Sequence, residues 1–172
     1  MQRRLLVYRG DAHQASDRQA VERSREKLRR RRRAPEHAII ASDAEARAVR
    51  ATRRNLEAAG LGEKAILHSW TGGPKWTKRF AGLGVTFSFA GMVTYPTADT
   101  LRLAVAVAPP DRCMVETDTP YLSPQQHRDK PNEPAFVRIT GAAVAEVWDI
   151  EVAETARLTT ATASRVFGFG GE

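Results

Sequence analysis

The sequence predicts an α/β fold built on a parallel sheet, with five strand–helix units in succession. Three observations carry that expectation. From His37 onward, short apolar runs alternate with longer segments of helical periodicity, which is the pattern of βαβ units. Breakers separate the segments, with Gly60 closing one helical pattern and Pro109-Pro110 another. The length of 172 residues and mass of 19.0 kDa suit one domain with a reasonable core. They fall short of the ~250 residues that a closed eight-unit barrel takes.

The elements follow in order. Residues 5–8 read as a weak strand. A helix over about 17–33 has only Val21 and Leu28 as sizeable apolar positions, too little to cover a sheet. Residues 38–41 read as a strand, and 44–59 as a helix whose Ala48, Val49, Thr52, Leu56 and Ala59 make a thin apolar face. A strand at 65–68 leads to a helix at 74–83, with Trp76, Phe80 and Leu83 on one side. A strand at 85–89 precedes a helix at 98–107, and the last strand is 112–115. Helices at 133–148 and 152–167 finish the chain. Right-handed crossovers are expected between the strands. Five parallel strands without closure leave an edge and part of one face uncovered, so marginal stability is expected.

Composition excludes several classes. Hydrophobic residues make up 42%, and no apolar run approaches the ~18 residues of a membrane span. The first residues hold arginines without an apolar signal core, so a cytoplasmic location is the expectation. The single cysteine, Cys113, cannot form an internal disulfide, and its apolar neighbours mark it as a buried small hydrophobe. The net charge of +7 is unevenly spread. Residues 1–33 carry 12 basic and 4 acidic side chains, and the remainder 15 and 16. Arg29 to Arg33 form an unbroken run that could neutralise phosphates and bind nucleic acid without sequence preference. The same run also fits a solvated helix end, and no interleaved aromatics supply a stacking platform.

The chemistry-bearing stretch is Glu116-Thr117-Asp118-Thr119-Pro120-Tyr121, directly after the apolar run Cys113-Met114-Val115. A carboxylate where a buried strand ends can present a metal ligand, and it can equally cap a helix or make a turn. Strand alternation puts Glu116 and Asp118 on one side. His68 closes another strand and precedes Ser69-Trp70-Thr71-Gly72-Gly73. There a neutral imidazole can coordinate a divalent ion or sit hydrogen-bonded in a loop. His127 and Arg128 lie on the long loop after Asp118, where arginine could grip a phosphate or pair with Asp129. Asn132 reads as a helix cap, with Glu133 and Pro134 in the first turn.

Taken together, ordered blocks resemble the TatD family of metal-dependent deoxyribonucleases. They are Leu67-His68-Ser69-Trp70-Thr71-Gly72-Gly73, Gly91-Met92-Val93-Thr94-Tyr95, Glu116-Thr117-Asp118-Thr119-Pro120-Tyr121-Leu122, and His127-Arg128 through Asn132-Glu133-Pro134. Thr159-Thr160 leading to Arg165-Val166-Phe167-Gly168 resembles the family's closing helix. The resemblance runs from about Ile39 to Gly168, roughly the C-terminal half of a family member. It implies a partial TIM (β/α) barrel of the metal-dependent hydrolase type, made of about the last five strand–helix units. Residues 1–36 then form a poorly matched basic segment, and 37–172 the C-terminal part of the barrel.

The resemblance further implies hydrolysis of DNA phosphodiester bonds by a metal-activated water. His68 and Asp118 would be metal ligands, and Asp118 would also act on the attacking water. Glu116 would hold a ligand by a hydrogen bond, and Arg128 and His127 would meet substrate. The metal could be Mg²⁺, Mn²⁺ or Zn²⁺. The rest of the family's ligand set departs here. No His-x-His pair occurs, and Ile39-Ile40-Ala41-Ser42-Asp43-Ala44 has alanine where the family places a histidine. No glutamate precedes Asp11, and neither His13 nor His37 closes a strand. Two ligands leave a metal's shell incomplete. A complementary chain or a missing N-terminal half could complete it, and the arginine-rich stretch before Ala34 fits a shifted reading frame or a drifting pseudogene. A non-catalytic nucleic-acid-binding remnant that uses Arg29 to Arg33 is the alternative.

Overall fold

Short runs such as Thr86-Phe87-Ser88-Phe89 become strands because alternate side chains can fill a helix-covered face while the others turn away. The computed structural model describes residues 6–9, 39–42 and 46–168. Five strands lie side by side in chain order: β1 (Leu6–Arg9), β2 (Ile39–Ser42), β3 (Ala65–Leu67), β4 (Thr86–Phe89) and β5 (Cys113–Val115). Every neighbouring pair is parallel. Helices α1 (Ala46–Ala59), α2 (Pro74–Ala81) and α3 (Asp99–Val107) follow β2, β3 and β4, and α4 (Val137–Trp148) and α5 (Val152–Phe167) follow β5.

The register sorts side chains onto two faces. Leu67 pairs with Phe87, and Phe87 with Cys113. These residues, with Ala65, Val85 and Phe89, join Phe80 of α2, Leu101, Ala104 and Val105 of α3, and Val144 of α4 in one apolar core. Ile66, Thr86, Ser88 and Met114 share the opposite parity. They are buried, yet they stand outside that cluster. His68 and Glu116, each one residue beyond its strand, continue this second face. One face therefore supplies cohesion and the other supplies polar groups.

The loop after β3 is fastened before it reaches α2. Trp70 is buried, donates its indole N–H to Thr77 Oγ1 at 2.8 Å, and meets Phe80 edge-on at 5.5 Å. Glycine is required at Gly72, because a Cβ there would lie 2.1 Å from the Trp70 ring. At the far end, Trp148 Nε1 donates to Val105 O at 3.0 Å, tying α4 to α3. Buried threonines line one side of α5 (Thr155, Thr159 and Thr162), where Thr162 Oγ1 donates to Asp111 O at 3.0 Å.

Among the described residues the elements match the sequence expectations in type and order, and most boundaries shift by a residue or two. β1 and β2 start one residue later than predicted, β3 ends at Leu67 so that His68 stands beyond it, and α2 stops at Ala81. The predicted helix at 133–148 begins instead as a 3₁₀ turn, Pro134–Phe136, before α4. The Asn132 cap is not formed: Glu133 and Phe136 precede the two helical segments, and the Asn132 amide is used elsewhere. Ala59 of the predicted α1 face is exposed, whereas Val49 and Leu56 are buried. Cys113 is buried, as its neighbours indicated. The predicted helix at 17–33, the run Arg29 to Arg33, and His13 and His37 lie outside the described residues. Among the described residues, no helix is long and apolar enough to cross a membrane.

Candidate functional site

In a parallel sheet all C-terminal strand ends open on one side, so residues after β3, β4 and β5 converge there. The ladder continues past the strands. Trp70 N donates to Ser88 O at 2.9 Å, and Glu116 N donates to Phe89 O at 3.0 Å. These bonds fix the backbone just after His68 and at Glu116. Ser69 takes a left-handed conformation, φ 48°, and its N–H meets Ser88 Oγ at 3.3 Å.

Three side chains converge on this frame. His68 Nδ1 lies 2.7 Å from Glu116 Oε2, and His68 Nε2 lies 3.4 Å from Asp118 Oδ1. Ser88 Oγ donates to the same Glu116 Oε2 at 2.8 Å. The His68 and Asp118 side chains are each 33% exposed and Glu116 21%, so the cluster is partly open to solute. The hydrogen bond to Glu116 holds the His68 pKa above its ordinary value of 6.5; burial opposes the rise, and the charges of Glu116 and Asp118 add to it. Glu116 Oε1 is buried without a hydrogen-bond partner.

The strand-end loops also bind one another. Tyr95 Oη donates to Ser123 O at 3.0 Å, and Gln125 N donates to Thr94 Oγ1 at 2.8 Å. The Arg128 guanidinium stacks over the Tyr95 ring at 4.1 Å instead of pairing with Asp129. His127 stacks on Phe136 at 4.1 Å. Of the residues singled out in the sequence, His68, Glu116 and Asp118 are brought together. Arg128 and His127 rest on separate aromatic supports with no bond to those three.

Two contributors were not foreseen. Ser88 links the Glu116 carboxylate to the turn after His68, and the alternation Thr86-Phe87-Ser88-Phe89 was its available signal. Asn132, read as a cap, instead reaches the Asp118 loop, with Nδ2 donating to Thr117 O at 2.6 Å and Tyr121 O at 2.7 Å.

The donors fit a divalent ion in kind. An imidazole whose second nitrogen rests on a carboxylate, facing an aspartate oxygen, is a common half of a metal shell. They fit it only in part by number, because no group of three or more His, Cys, Asp or Glu side chains suited to a metal occurs among the described residues. Ala41, where the resemblance places an imidazole, is in register with Leu67 on the adjacent strand.

Comparison with known proteins bears on the family and the fold. A match to the family described as TatD related DNase spans residues 16–168. YcfH of Escherichia coli K12, named a metal-dependent hydrolase, is 40% identical over 102 residues, covering 59% of this chain and 38% of its own. A metal-dependent hydrolase, TatD, of Mycobacterium tuberculosis is 36% identical over 115 residues, covering 67% and 44%. The crystal structure of YJJV, a TatD homologue from Escherichia coli K12, superposes with a TM-score of 0.77 at 23% identity, covering 95% of this chain and 61% of that one. The chain thus spans about two fifths of the length of the curated relatives it matches.

Proposed function

The chain belongs to the TatD related DNase family, and on that premise we propose that it hydrolyses phosphodiester bonds of DNA at the His68–Asp118 cluster. The observation that carries this reading is the approach of His68 Nε2 to Asp118 Oδ1, 3.4 Å, with Nδ1 already taken by Glu116. His68 and Asp118 would hold a divalent ion such as Mg²⁺, Mn²⁺ or Zn²⁺. Such an ion, when bound, acidifies water and neutralises charge on phosphoryl oxygens. Glu116 keeps the imidazole in the tautomer that frees Nε2, and Asp118 orients the attacking water and accepts its proton. Arg128, preorganised on Tyr95, is placed to meet a phosphate oxygen, and His127 stands beside it.

The described strands are read as the last five of an eight-unit barrel, with β1 contributed by the basic segment 1–36. Coverage of 61% of the superposed homologue supports that extent. Donors beyond the two on this chain would come from strands outside the described residues or from a complementary chain. The cytoplasm is the proposed compartment.

The test is release of acid-soluble nucleotides from linear DNA by the full chain with Mg²⁺ or Mn²⁺. Activity should require the ion, and Asp118→Asn should lower it at least about 100-fold, as loss of a group acting on the attacking water does. Cleavage indifferent to Asp118→Asn, or no cleavage with any ion, would overturn the reading. The charge excess of residues 1–33 favours one second reading, a non-catalytic nucleic-acid binder. Its mark is salt-sensitive DNA binding that alanines at Arg29 to Arg33 abolish and Asp118→Asn leaves intact.

A further inference from the structure

Asn132 is 3% exposed, and both of its amide hydrogens and its amide oxygen are engaged locally. Nδ2 donates to Thr117 O and Tyr121 O, and Oδ1 accepts from Glu133 N at 2.9 Å. Its backbone N–H reaches Pro120 O at 3.0 Å. The loop so held contains Asp118, whose φ of 60° lies in the left-handed region, uncommon outside glycine though better tolerated by aspartate than by most residues.

The two carbonyls are not arbitrary points on that loop. Thr117 C=O belongs to the same rigid peptide plane as Asp118 N–H, so anchoring that oxygen fixes the plane from which the Asp118 Cα departs. Tyr121 O lies on the other side of the turn that Tyr121 N closes on Asp118 O at 2.9 Å. One primary amide, with two hydrogens in a fixed fork, spans both sides of the aspartate. A hydroxyl has one hydrogen and could hold only one of them.

We propose that Asn132 is a positioning residue for Asp118: its amide sets the peptide plane that aims the aspartate carboxylate at His68 Nε2. This rests on the reading of Asp118 as the functional carboxylate, and two measurements separate the ideas. The first is metal-free. In the full chain labelled with ¹⁵N and ¹³C, Asn132→Asp keeps the size but replaces the donor fork with carboxylate oxygen. The His68 Nε2 signal and the Asp118 carboxyl signal should both move, while His68 Nδ1, held by Glu116, should stay. Asn132→Ala serves if repulsion unfolds the aspartate variant. Signals unmoved at Nε2 and Asp118, with only a lower melting temperature, would overturn the proposal and leave Asn132 as a loop staple.

The second measurement is a double-mutant cycle on Mn²⁺ affinity. Asn132→Asp should weaken binding about 10-fold in the native background and have no further effect when Asp118 is already asparagine. An equal loss in both backgrounds would overturn the proposal. If the native chain binds no Mn²⁺, the metal-site reading fails, and the metal-free signals still decide the role of Asn132.

Discussion

The Ser88 hydroxyl and the Glu116 carboxylate meet at 2.8 Å, on the same oxygen that lies 2.7 Å from His68 Nδ1. Adjacent strands thus contribute two donors to one acceptor atom. Both carboxylates can only accept, so the single hydrogen of the neutral imidazole goes to the shorter contact, on Nδ1 towards Glu116 at 2.7 Å, and Nε2 keeps its lone pair 3.4 Å from Asp118 Oδ1. Removing the serine donor should let the carboxylate rotate. In Ser88→Ala, ¹⁵N signals of His68 should show a mixed tautomer population, and Mn²⁺ affinity should fall about 10-fold, at the lower end for a group that orients a ligand. A pure Nδ1–H tautomer in the variant would show that Glu116 needs no help from Ser88.

Stability should depend on the charge of His68. Its folded pKa is raised, chiefly by the hydrogen bond to Glu116. The protonated form is therefore favoured by folding. That contribution is fully present below the unfolded value of about 6.5 and is lost as pH rises through the higher folded value. Urea midpoints measured across this range should decline for the native chain. The decline should shrink in His68→Gln, and an identical slope in both proteins would contradict the assignment.

The core face should tolerate truncation poorly. Phe87 is fully buried, 5.9 Å from Trp70 and stacked on Phe89 at 6.5 Å. Phe87→Ala should lower unfolding free energy by about 3–5 kcal/mol, read from urea denaturation. A loss below about 1 kcal/mol, the scale of a volume-conserving swap, would mean that the helices do not close over this strand.

Cys113 should be chemically silent. Burial pushes its thiol pKa far up, with the charge of Asp111 adding to the rise, and Sγ faces Pro109 O at 3.1 Å. Alkylation by iodoacetamide at neutral pH should proceed only at the rate of global unfolding. Rapid labelling of the folded chain would show that β5 opens on its own.

Local signals in the sequence were enough for the elements. The helix predicted at 152–167 matches α5 to the residue, and Gly168 at φ 69° ends it. The resemblance singles out His68 and Asp118, and the fold brings their side chains to 3.4 Å. What sequence could not convey was partnership across space. Asn132 before Glu133-Pro134 carries every local mark of a cap, yet its amide bonds residues 11 and 15 positions upstream. Ser88 sits in an aromatic strand, where a serine looks incidental until the neighbouring strands place Glu116 and Ser69 against it. Tertiary contacts overrode local propensity at both positions.

Sequential strand order has a consequence for the nascent chain. The ribosome delivers His68 48 residues ahead of Glu116. At about 5–20 residues per second, that is a delay of roughly 2–10 s. During that interval the imidazole has emerged and its carboxylate has not been made. Until then either ring nitrogen can carry the hydrogen, and only the residues that follow the last strand fix Nε2 as the one left towards Asp118.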